Sequence, residues 1–379
     1  MAIAFFGKTG GIYTSADNGL TWTLSSAVTD LHPADAHQPD QPVWLNQIPA
    51  PFAHKAIFAG GSAYYPVCTA HDAPAGIRVF QSLAGVDTSD YYAYLVIPPY
   101  DLPTQGESFF AGWDTDGTNI YLLGLYYPDR MCLQIPIANP ATMVEIGNRT
   151  FGGYLMQGIV CWEGKIWTAA YVHHAFSGLR WMVAGDSAWT NESAGWTSHP
   201  NPIGLIGGDP AQLWFLALDA DSTPRLLTRN IAGTWTDRGV AGSATDRVVL
   251  IWAGSGGRVL IQRFSYAVSP RPRTWWWTAD YGATWTAVGT SSVDVTQGGV
   301  IYGPEVDGLV LIGEMLYDDD GNAATALYHL NTATGTVTDI TGTFAPPVEP
   351  VSEGIAWLGE YTQTAAPSDP PLRLFNGTP

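Results

Sequence analysis

One nine-residue pattern occurs twice in this chain of 379 residues, at positions 15–23 and 278–286. Both copies read Ser/Thr-x-Asp-x-Gly-x-Thr-Trp-Thr, and each follows an apolar stretch. The glycine supplies a positive φ angle at no steric cost, and the aspartate can accept hydrogen bonds from amides of its own turn. Each copy therefore predicts a tight β-hairpin turn. The structural residues of the two turns are Ser15, Asp17, Gly19, Thr21 and Trp22, and Thr278, Asp280, Gly282, Thr284 and Trp285.

The repeated pattern resembles the Asp-box, or BNR repeat, of sialidase-like β-propellers. That resemblance implies a ring of blades, with these turns on the outer rim and away from the central site. Together with five weaker versions of the same hairpin, the two copies predict seven turns, near residues 17, 85, 139, 186, 231, 281 and 334. Their later spacing of roughly 50 residues is typical of propeller blades.

Two apolar strands joined by a Gly-containing turn precede most of these hairpins, which makes a four-stranded unit. We therefore predict an all-β fold, a single seven-bladed β-propeller over residues 1–379. A composite blade, from about 350–379 plus 1–27, would close the ring and leave no long sheet edge exposed. Residues 28–55 form the longest irregular stretch and are predicted to be a loop.

The composition of the chain limits its partners. Its formal net charge is −18, and it has only three lysines. An acidic surface repels phosphate backbones and anionic lipids, so we expect no nucleic-acid partner and no membrane docking. No apolar stretch approaches the ~20 residues of a membrane span, and the N-terminus lacks the pattern of a signal peptide. We therefore expect a soluble protein or a virion component.

Two segments carry residue types that bind metals. His32, Asp35, His37 and Asp40 lie close together in the 28–55 loop and could bind a divalent ion, although the segment also suits a solvated Pro-rich loop. Asp318–Asp320, followed by Gly-Asn, resembles a calcium loop but lacks the downstream Glu of an EF-hand. A hairpin is the favoured interpretation there and at residues 114–119, so we expect no obligatory cofactor.

Aromatic side chains cluster in several strands. Tyr91 and Tyr92, and Trp275, Trp276 and Trp277, could stack on sugars or anchor a protein partner. Packing between blades is the alternative for each ring. Alternation along a strand predicts that Trp276 faces away from Trp275 and Trp277.

The sequence does not support sialidase activity. The sialidases it resembles use three arginines, a Tyr–Glu pair and an Asp, and carry an Arg-Ile-Pro phrase that is missing here. We predict no catalytic residues and a non-enzymatic structural or binding propeller. Its expected setting is a bacteriophage tail or baseplate, among other virion proteins in an oligomeric assembly, where it contributes to assembly or host-surface recognition. The alternative is a lectin that binds cell-surface glycan, or a sialidase-like glycoside hydrolase.

Overall fold

The fold is taken from a computed structural model of the chain. It describes residues 2–6, 12–15, 17, 19–26, 41–42, 53–55, 57–59, 62–68, 76–81, 93–96, 108–126, 130–139, 142, 144–147, 154–172, 175–192, 201–206, 209–219, 221, 223–265, 273–291, 297–317, 323–341 and 355–360.

Nearly all of these residues belong to β-strands or to the turns between them. The first fifteen strands are β1 Ala2–Phe6, β2 Ile12–Ser15, β3 Thr23–Ser26, β4 Gln41–Pro42, β5 Ala53–Lys55, β6 Ile57–Ala59, β7 Ser62–Cys68, β8 Gly76–Gln81, β9 Ala93–Val96, β10 Ser108–Thr115, β11 Asn119–Tyr126, β12 Arg130–Pro136, β13 Val144–Ile146, β14 Tyr154–Trp162 and β15 Lys165–Val172. The remaining strands are β16 Ala175–Met182, β17 Thr190–Glu192, β18 Asn201–Ile206, β19 Gln212–Leu218, β20 Pro224–Asn230, β21 Trp235–Val240, β22 Asp246–Gly254, β23 Arg258–Ser265, β24 Thr274–Thr278, β25 Thr286–Thr290, β26 Gln297–Val306, β27 Leu309–Tyr317, β28 Ala323–Asn331, β29 Val337–Asp339 and β30 Ile355–Glu360.

The protein is an all-β β-propeller, but it has five four-stranded blades among the described residues, so the prediction of seven is wrong. The blades are β3-β2-β1-β30, β10-β11-β12-β13, β14-β15-β16-β17, β18-β19-β20-β21 and β22-β23-β24-β25. Two further sheets have five strands each. One has the order β29-β28-β27-β26-β5, and the other has β4-β7-β8-β9 with β6 also paired to β7.

The additional strands explain the difference between sequence and structure. The 28–55 segment, predicted as a loop, contributes β4 and β5. Strand β5 pairs in parallel with β26, aligning Ala53 with Val300 and Lys55 with Tyr302. An edge strand has unpaired amides and carbonyls that a short passing segment can satisfy. Such a segment needs neither hydrophobic periodicity nor a hairpin turn, so turn spacing along the sequence could not reveal it.

The two ends of the described chain share one sheet. Strand β1 pairs antiparallel with β30, from Ala2 opposite Glu360 to Phe6 opposite Ile355. On its other side β1 pairs with β2, which in turn pairs with β3. Strand β1 is therefore hydrogen-bonded on both sides, and its partner β30 lies more than 300 positions away in the chain.

The predicted hairpin turns have a common position within their sheets. The turns near residues 17, 139, 186, 231, 281 and 334 each connect the third strand of a sheet to the fourth. The strands of the first sheet are counted here as β30, β1, β2 and β3, and the count in the sheet that contains β5 begins at β26. The turn expected near residue 85 lies outside the described residues. In an antiparallel meander, the turn from the first strand to the second lies at the same end as the turn from the third to the fourth. We call this the hairpin end of each sheet.

The hydrophobic core lies between consecutive sheets. Strand β19 shows the pattern: Leu213 and Phe215 pack towards the β14–β17 sheet, while Trp214 and Leu216 pack towards the β22–β25 sheet. Successive side chains of a strand point to opposite faces, so a strand between two sheets needs apolar residues at every position. Within the described part of the chain, no helical segment has the length and hydrophobicity that a bilayer crossing requires.

Candidate binding cleft and the repeated turns

The two copies of the nine-residue pattern form turns with the same hydrogen bonds. In the first, Asp17 Oδ1 accepts from the Thr21 amide at 2.8 Å and Asp17 Oδ2 from the Thr21 hydroxyl at 2.6 Å. The Ser15 hydroxyl donates to Asp17 at 2.6 Å and accepts from the Gly19 amide at 2.7 Å. These donors, the Ser15 hydroxyl foremost, hold the pKa of Asp17 well below its usual range.

The second turn repeats this arrangement atom for atom. Asp280 accepts from the Thr284 amide at 2.9 Å and from the Thr284 hydroxyl at 2.5 Å. The Thr278 hydroxyl donates to Asp280 at 2.7 Å and accepts from the Gly282 amide at 2.9 Å. The hydroxyl and amide of Thr284 lower the pKa of Asp280. Both carboxylates are committed to their own turns, so this arrangement stabilises a hairpin.

The remaining residue of this pattern, tryptophan, is half-buried in both copies, as Trp22 and Trp285. Trp285 packs against the core between the β18–β21 and β22–β25 sheets. Gly282 lies against the neighbouring sheet, where an added Cβ would be 3.1 Å from the Arg238 carbonyl oxygen. The second turn thus contributes to the junction between two sheets.

The three consecutive tryptophans of β24 pack within the core. Trp275 is buried edge-on against Tyr328, with centroids 5.2 Å apart, and Trp277 stacks on Trp252 at 6.1 Å. Trp276 faces the opposite side, where the Arg263 guanidinium lies 4.1 Å from its ring centroid. The predicted alternation is confirmed. Burial lowers the pKa of Arg263 to about 10, so it remains charged at neutral pH.

Several candidate residues lie outside the described residues: Tyr91, Tyr92, His32, Asp35, His37, Asp40 and Asp318–Asp320. Among the residues that are described, no group of three or more His, Cys, Asp or Glu side chains could hold a metal ion. The proposed metal and calcium loops therefore remain predictions.

The structure brings together a site that the sequence analysis did not identify. A cleft of about 370 Å³ opens at the hairpin end, between the β10–β13 and β14–β17 sheets. This volume falls within the roughly 300–1,000 Å³ of small-molecule sites. Its lining residues include Asp116, Tyr121 and Cys161, and residues 162–165 at the turn between β14 and β15. We call it the Trp162 cleft.

One wall of the Trp162 cleft is a rigid polar turn between β10 and β11. Asp116 accepts from the amides of Thr118 and Asn119, at 2.8 and 2.7 Å, and from the Tyr121 hydroxyl at 2.8 Å. Burial would raise the pKa of Asp116, but these hydrogen bonds outweigh it and lower the pKa. Burial and the nearby carboxylate raise the pKa of Tyr121. Asp116 therefore stays ionised and Tyr121 stays protonated.

The opposite wall is the two-residue turn between β14 and β15. Glu163 and Gly164 have φ angles of 56° and 66°. Two-residue hairpins with positive φ at both central positions favour Asn, Asp and Gly, so a glutamate there is unusual. Its Oε2 atom lies 3.3 Å from Arg229 Nη1 and 3.5 Å from Lys165 Nζ. Arg229 belongs to β20, so the pair joins neighbouring sheets.

Aromatic rings surround these charges on the face of the β14–β17 sheet that packs against β18–β21, which is the face away from β10–β13. Lys165 Nζ lies 4.7 Å from the Trp181 ring centroid, and the Arg229 guanidinium lies 5.0 Å from that of Trp167. Trp162 is only 6% exposed, and its indole Nε1–H has no hydrogen-bond acceptor among the described residues. In the sequence, Glu163-Gly164 between two apolar strands indicates only a hairpin. The unusual choice of Glu at that turn was the one available signal.

Comparisons with known proteins identify the fold and no family. No protein-family model and no curated protein matches this chain. A solved protein from Lactobacillus plantarum is similar at 13% identity, with a TM-score of 0.52 over 94% of this chain and 97% of that one. The SapL1 lectin in complex with alpha methyl fucoside is similar at 13% identity, with a TM-score of 0.51 over 78% and 97%.

A polysaccharide lyase, the ulvan lyase of family PL25, is similar at 10% identity, with a TM-score of 0.49 over 79% of this chain and 86% of that one. At such identities the likeness extends to the fold alone. The β-propeller neighbours of this chain include a lectin, and that similarity supports the β-propeller architecture.

Proposed function

We propose that this protein is a non-enzymatic, carbohydrate-binding β-propeller, and that the Trp162 cleft is its binding site. The observation that carries this proposal is the composition of the cleft, where the Asp116 carboxylate, the Tyr121 ring and the Cys161 thiol line one concave volume. Sugars offer C–H faces that pack on aromatic rings and hydroxyl groups that bond to charged side chains. The fold similarity to a lectin is compatible with this function but does not carry it.

The wall of the cleft contains groups that can form hydrogen bonds with a ligand. The Asp116 carboxylate and the Tyr121 hydroxyl lie in this wall, where the hydroxyl donates to the carboxylate at 2.8 Å. Carboxylate and hydroxyl oxygens have several lone pairs, so both can accept a further hydrogen bond from a sugar hydroxyl.

The same geometry argues against hydrolysis. A glycoside hydrolase of the usual two-carboxylate kind needs a general acid, whose pKa is raised. Asp116 has its pKa lowered and accepts several hydrogen bonds, so it would hold no proton at neutral pH. We therefore favour binding without turnover over a sialidase-like activity.

For the biological setting we propose a bacteriophage tail or baseplate, where a glycan-binding propeller would recognise the host surface. The acidic, lysine-poor composition suits such a protein, since it disfavours non-specific adhesion to nucleic acid and anionic lipid. Immunogold labelling of purified virions tests the setting. Absence of the protein from the particles would contradict it without affecting the proposed binding activity.

A glycan array followed by calorimetry tests binding. Asp116→Asn should weaken the binding of any array hit about tenfold or more, because a hydrogen bond to a charged group is worth roughly 1.5–3 kcal/mol. Asp237→Asn is the matched control, since Asp237 pairs with Arg225 away from the cleft.

Thiol alkylation locates the ligand. Cys161 is half-buried in the wall of the cleft, whereas Cys132 is buried in the core. A sugar bound in the cleft should slow iodoacetamide labelling of the Cys161 peptide. Binding with unchanged Cys161 labelling and unchanged affinity in Asp116→Asn would place the sugar elsewhere. No binding to any glycan would overturn the proposed function.

A further inference from the structure

One tryptophan of strand β24 belongs to a second candidate site, at another junction between sheets. Trp275 and Trp277 are buried in the core, whereas Trp276 is half-buried on the face of the β22–β25 sheet that packs against β18–β21. We infer that Arg263, together with the rings of Trp276 and Trp285, binds the carboxylate group of an acidic sugar. This site is separate from the Trp162 cleft, which lies between the β10–β13 and β14–β17 sheets.

The guanidinium of Arg263 contacts two indole rings. Its Cζ atom lies 4.1 Å from the ring centroid of Trp276 and 5.5 Å from that of Trp285. Strand β23 supplies Arg263, β24 supplies Trp276, and Trp285 immediately precedes β25. Because both distances start from one atom, the cation and the two rings form one small surface, which we call the Arg263 site. Cation–π attraction helps to hold the guanidinium there.

The charge of Arg263 has no acidic partner among the described residues. Asp246 is the described carboxylate that raises the pKa of Arg263, and it does so without forming an ion pair. Its Oδ2 atom instead accepts from the Ser243 amide at 2.7 Å. Other arginines form ion pairs with carboxylates, namely Arg225, Arg229, Arg258 and Arg273. A half-buried cation without a counter-charge favours an incoming anion, even in a chain of net charge −18.

The remaining hydrogen-bonding capacity of Arg263 suits a carboxylate. Its Nε–H is buried without an acceptor among the described residues, which leaves the two Nη groups to meet a ligand. Their N–H donors form a planar fork that matches the two oxygens of a carboxylate. Trp276 and Trp285 are half-buried, so part of each ring remains available to the C–H face of a sugar. A uronic or sialic acid carries both features on one ring.

Matched ligands test this inference. The acidic sugars are methyl glucuronide, methyl galacturonide and the methyl glycoside of sialic acid. Methyl glucoside and methyl galactoside lack the carboxylate, and acetate lacks the ring. Binding is followed in proton–nitrogen NMR spectra through the indole N–H signals of Trp276 and Trp285, assigned with Trp276→Phe and Trp285→Phe. We expect an acidic sugar to shift both signals and to bind about tenfold more tightly than the neutral sugars or acetate.

Substitutions of Arg263 separate charge from geometry. Arg263→Gln should weaken binding of the acidic sugar about tenfold or more. Arg263→Lys keeps the charge without the fork, so its affinity should lie between those of Arg263→Gln and wild type. The matched control is Arg258→Gln, since Arg258 also lies over a tryptophan, Trp252 at 5.6 Å, but pairs with Glu305 at 3.9 Å. It should bind the acidic sugar as wild type does. Circular dichroism checks that each variant is folded.

Each outcome decides for or against the Arg263 site. If no acidic sugar shifts the two indole signals, or if the neutral sugars bind equally well, the inference is overturned. Unchanged affinity in a folded Arg263→Gln variant would overturn it as well. An acidic peptide that binds where the three acidic sugars do not would assign the surface to a protein partner instead. Asp116→Asn and Cys161 labelling report on the Trp162 cleft, so failure of either proposal is recognised separately.

Discussion

The ring of Tyr281 stacks on the ring of Trp214 across the junction of two sheets, with centroids 5.9 Å apart and an interplanar angle of 17°. Tyr281 occupies the second of the repeated turns at a φ angle of 62°, and the Arg238 guanidinium lies 4.6 Å from its ring. The stack connects the turn to the core of the neighbouring sheet. It offsets the backbone cost of a tyrosine in the left-handed region.

Substitution of Tyr281 separates these two contributions. Tyr281→Ala loses the ring and keeps the strained backbone, so we expect it to lower the free energy of unfolding by about 2 kcal/mol. Tyr281→Gly loses the same ring but relieves the strain, and should be less destabilising than alanine by about 1 kcal/mol. Urea unfolding of the two variants measures both values. Equal stability of the two variants would contradict the strain argument.

The buried network around Glu314 gives a second prediction. Glu314 and Arg273 are 0% and 1% exposed, and their charged groups lie 3.7 Å apart. Glu314 also accepts from Gln262, and from the Ser291 hydroxyl at 2.8 Å. Glu314→Ala would leave a buried guanidinium uncompensated, and we expect a loss of about 3–5 kcal/mol.

The control for this prediction is the double variant Glu314→Leu with Arg273→Met, which removes both charges. It should be less destabilised than the sum of the single variants Glu314→Leu and Arg273→Met, because each single variant leaves one lone buried charge and the double variant leaves none. Additive losses in a urea-unfolding cycle would show that the two side chains contribute independently.

Glycine at 335 is predicted to be required for packing as well as for backbone conformation. A Cβ on Gly335 would lie 2.2 Å from Trp277 Cγ, whereas one on Gly185 would meet no atom within 4 Å. Both glycines have positive φ, 75° and 86°, in turns between a third and a fourth strand. Gly185→Ala should therefore cost only the backbone strain of about 1 kcal/mol.

Gly335→Ala should cost about 2–4 kcal/mol, since it adds overpacking against Trp277 to the same backbone strain. Thermal and urea unfolding compare the two variants directly. If the two variants lose the same free energy of unfolding, the added methyl group at 335 is accommodated beside Trp277 without destabilisation, and the packing argument is wrong.

The repeated turns should make a pH-dependent contribution to stability. The pKa of Asp280 is lowered by donors in its own turn, so the folded protein favours the ionised form. This stabilisation is fully present above the ordinary aspartate pKa of about 3.9, and is lost as pH falls from there through the lower folded-state pKa.

Asp280→Asn should therefore lower Tm at pH 7, and the difference from wild type should shrink below about pH 4. Circular dichroism melts from pH 7 to pH 3 measure this change. Ala283→Asn, in the same exposed turn, is the control, and its effect should not vary with pH. A difference between wild type and Asp280→Asn that stays constant over this range would rule out a contribution from ionisation.

Local features of the chain were predictable because they depend on neighbours in sequence. The hairpin at Asp280 follows from a carboxylate four residues before Thr284 and a glycine between them. The alternation of Trp275, Trp276 and Trp277 follows from the two-residue period of a strand. The hydrogen bonds of one turn and the direction of successive side chains along one strand could therefore be predicted without knowing the fold.

The number of blades and the contacts between sheets depended on distant residues. Glu163 and Arg229 lie 66 positions apart, and they meet only because two sheets pack side by side. Strand β5 adds to the edge of β26 through backbone hydrogen bonds, which leave little trace in side-chain patterns.

By itself, then, the sequence determined an all-β chain, its hairpin turns and the two faces of its strands, because short-range backbone geometry and side-chain alternation specify these. Tertiary structure alone decided that five blades have four strands, and it decided to which sheets the 28–55 segment adds its strands. It also decided which residues line the cleft. Packing between sheets sets these features, since it brings together residues that no local pattern relates.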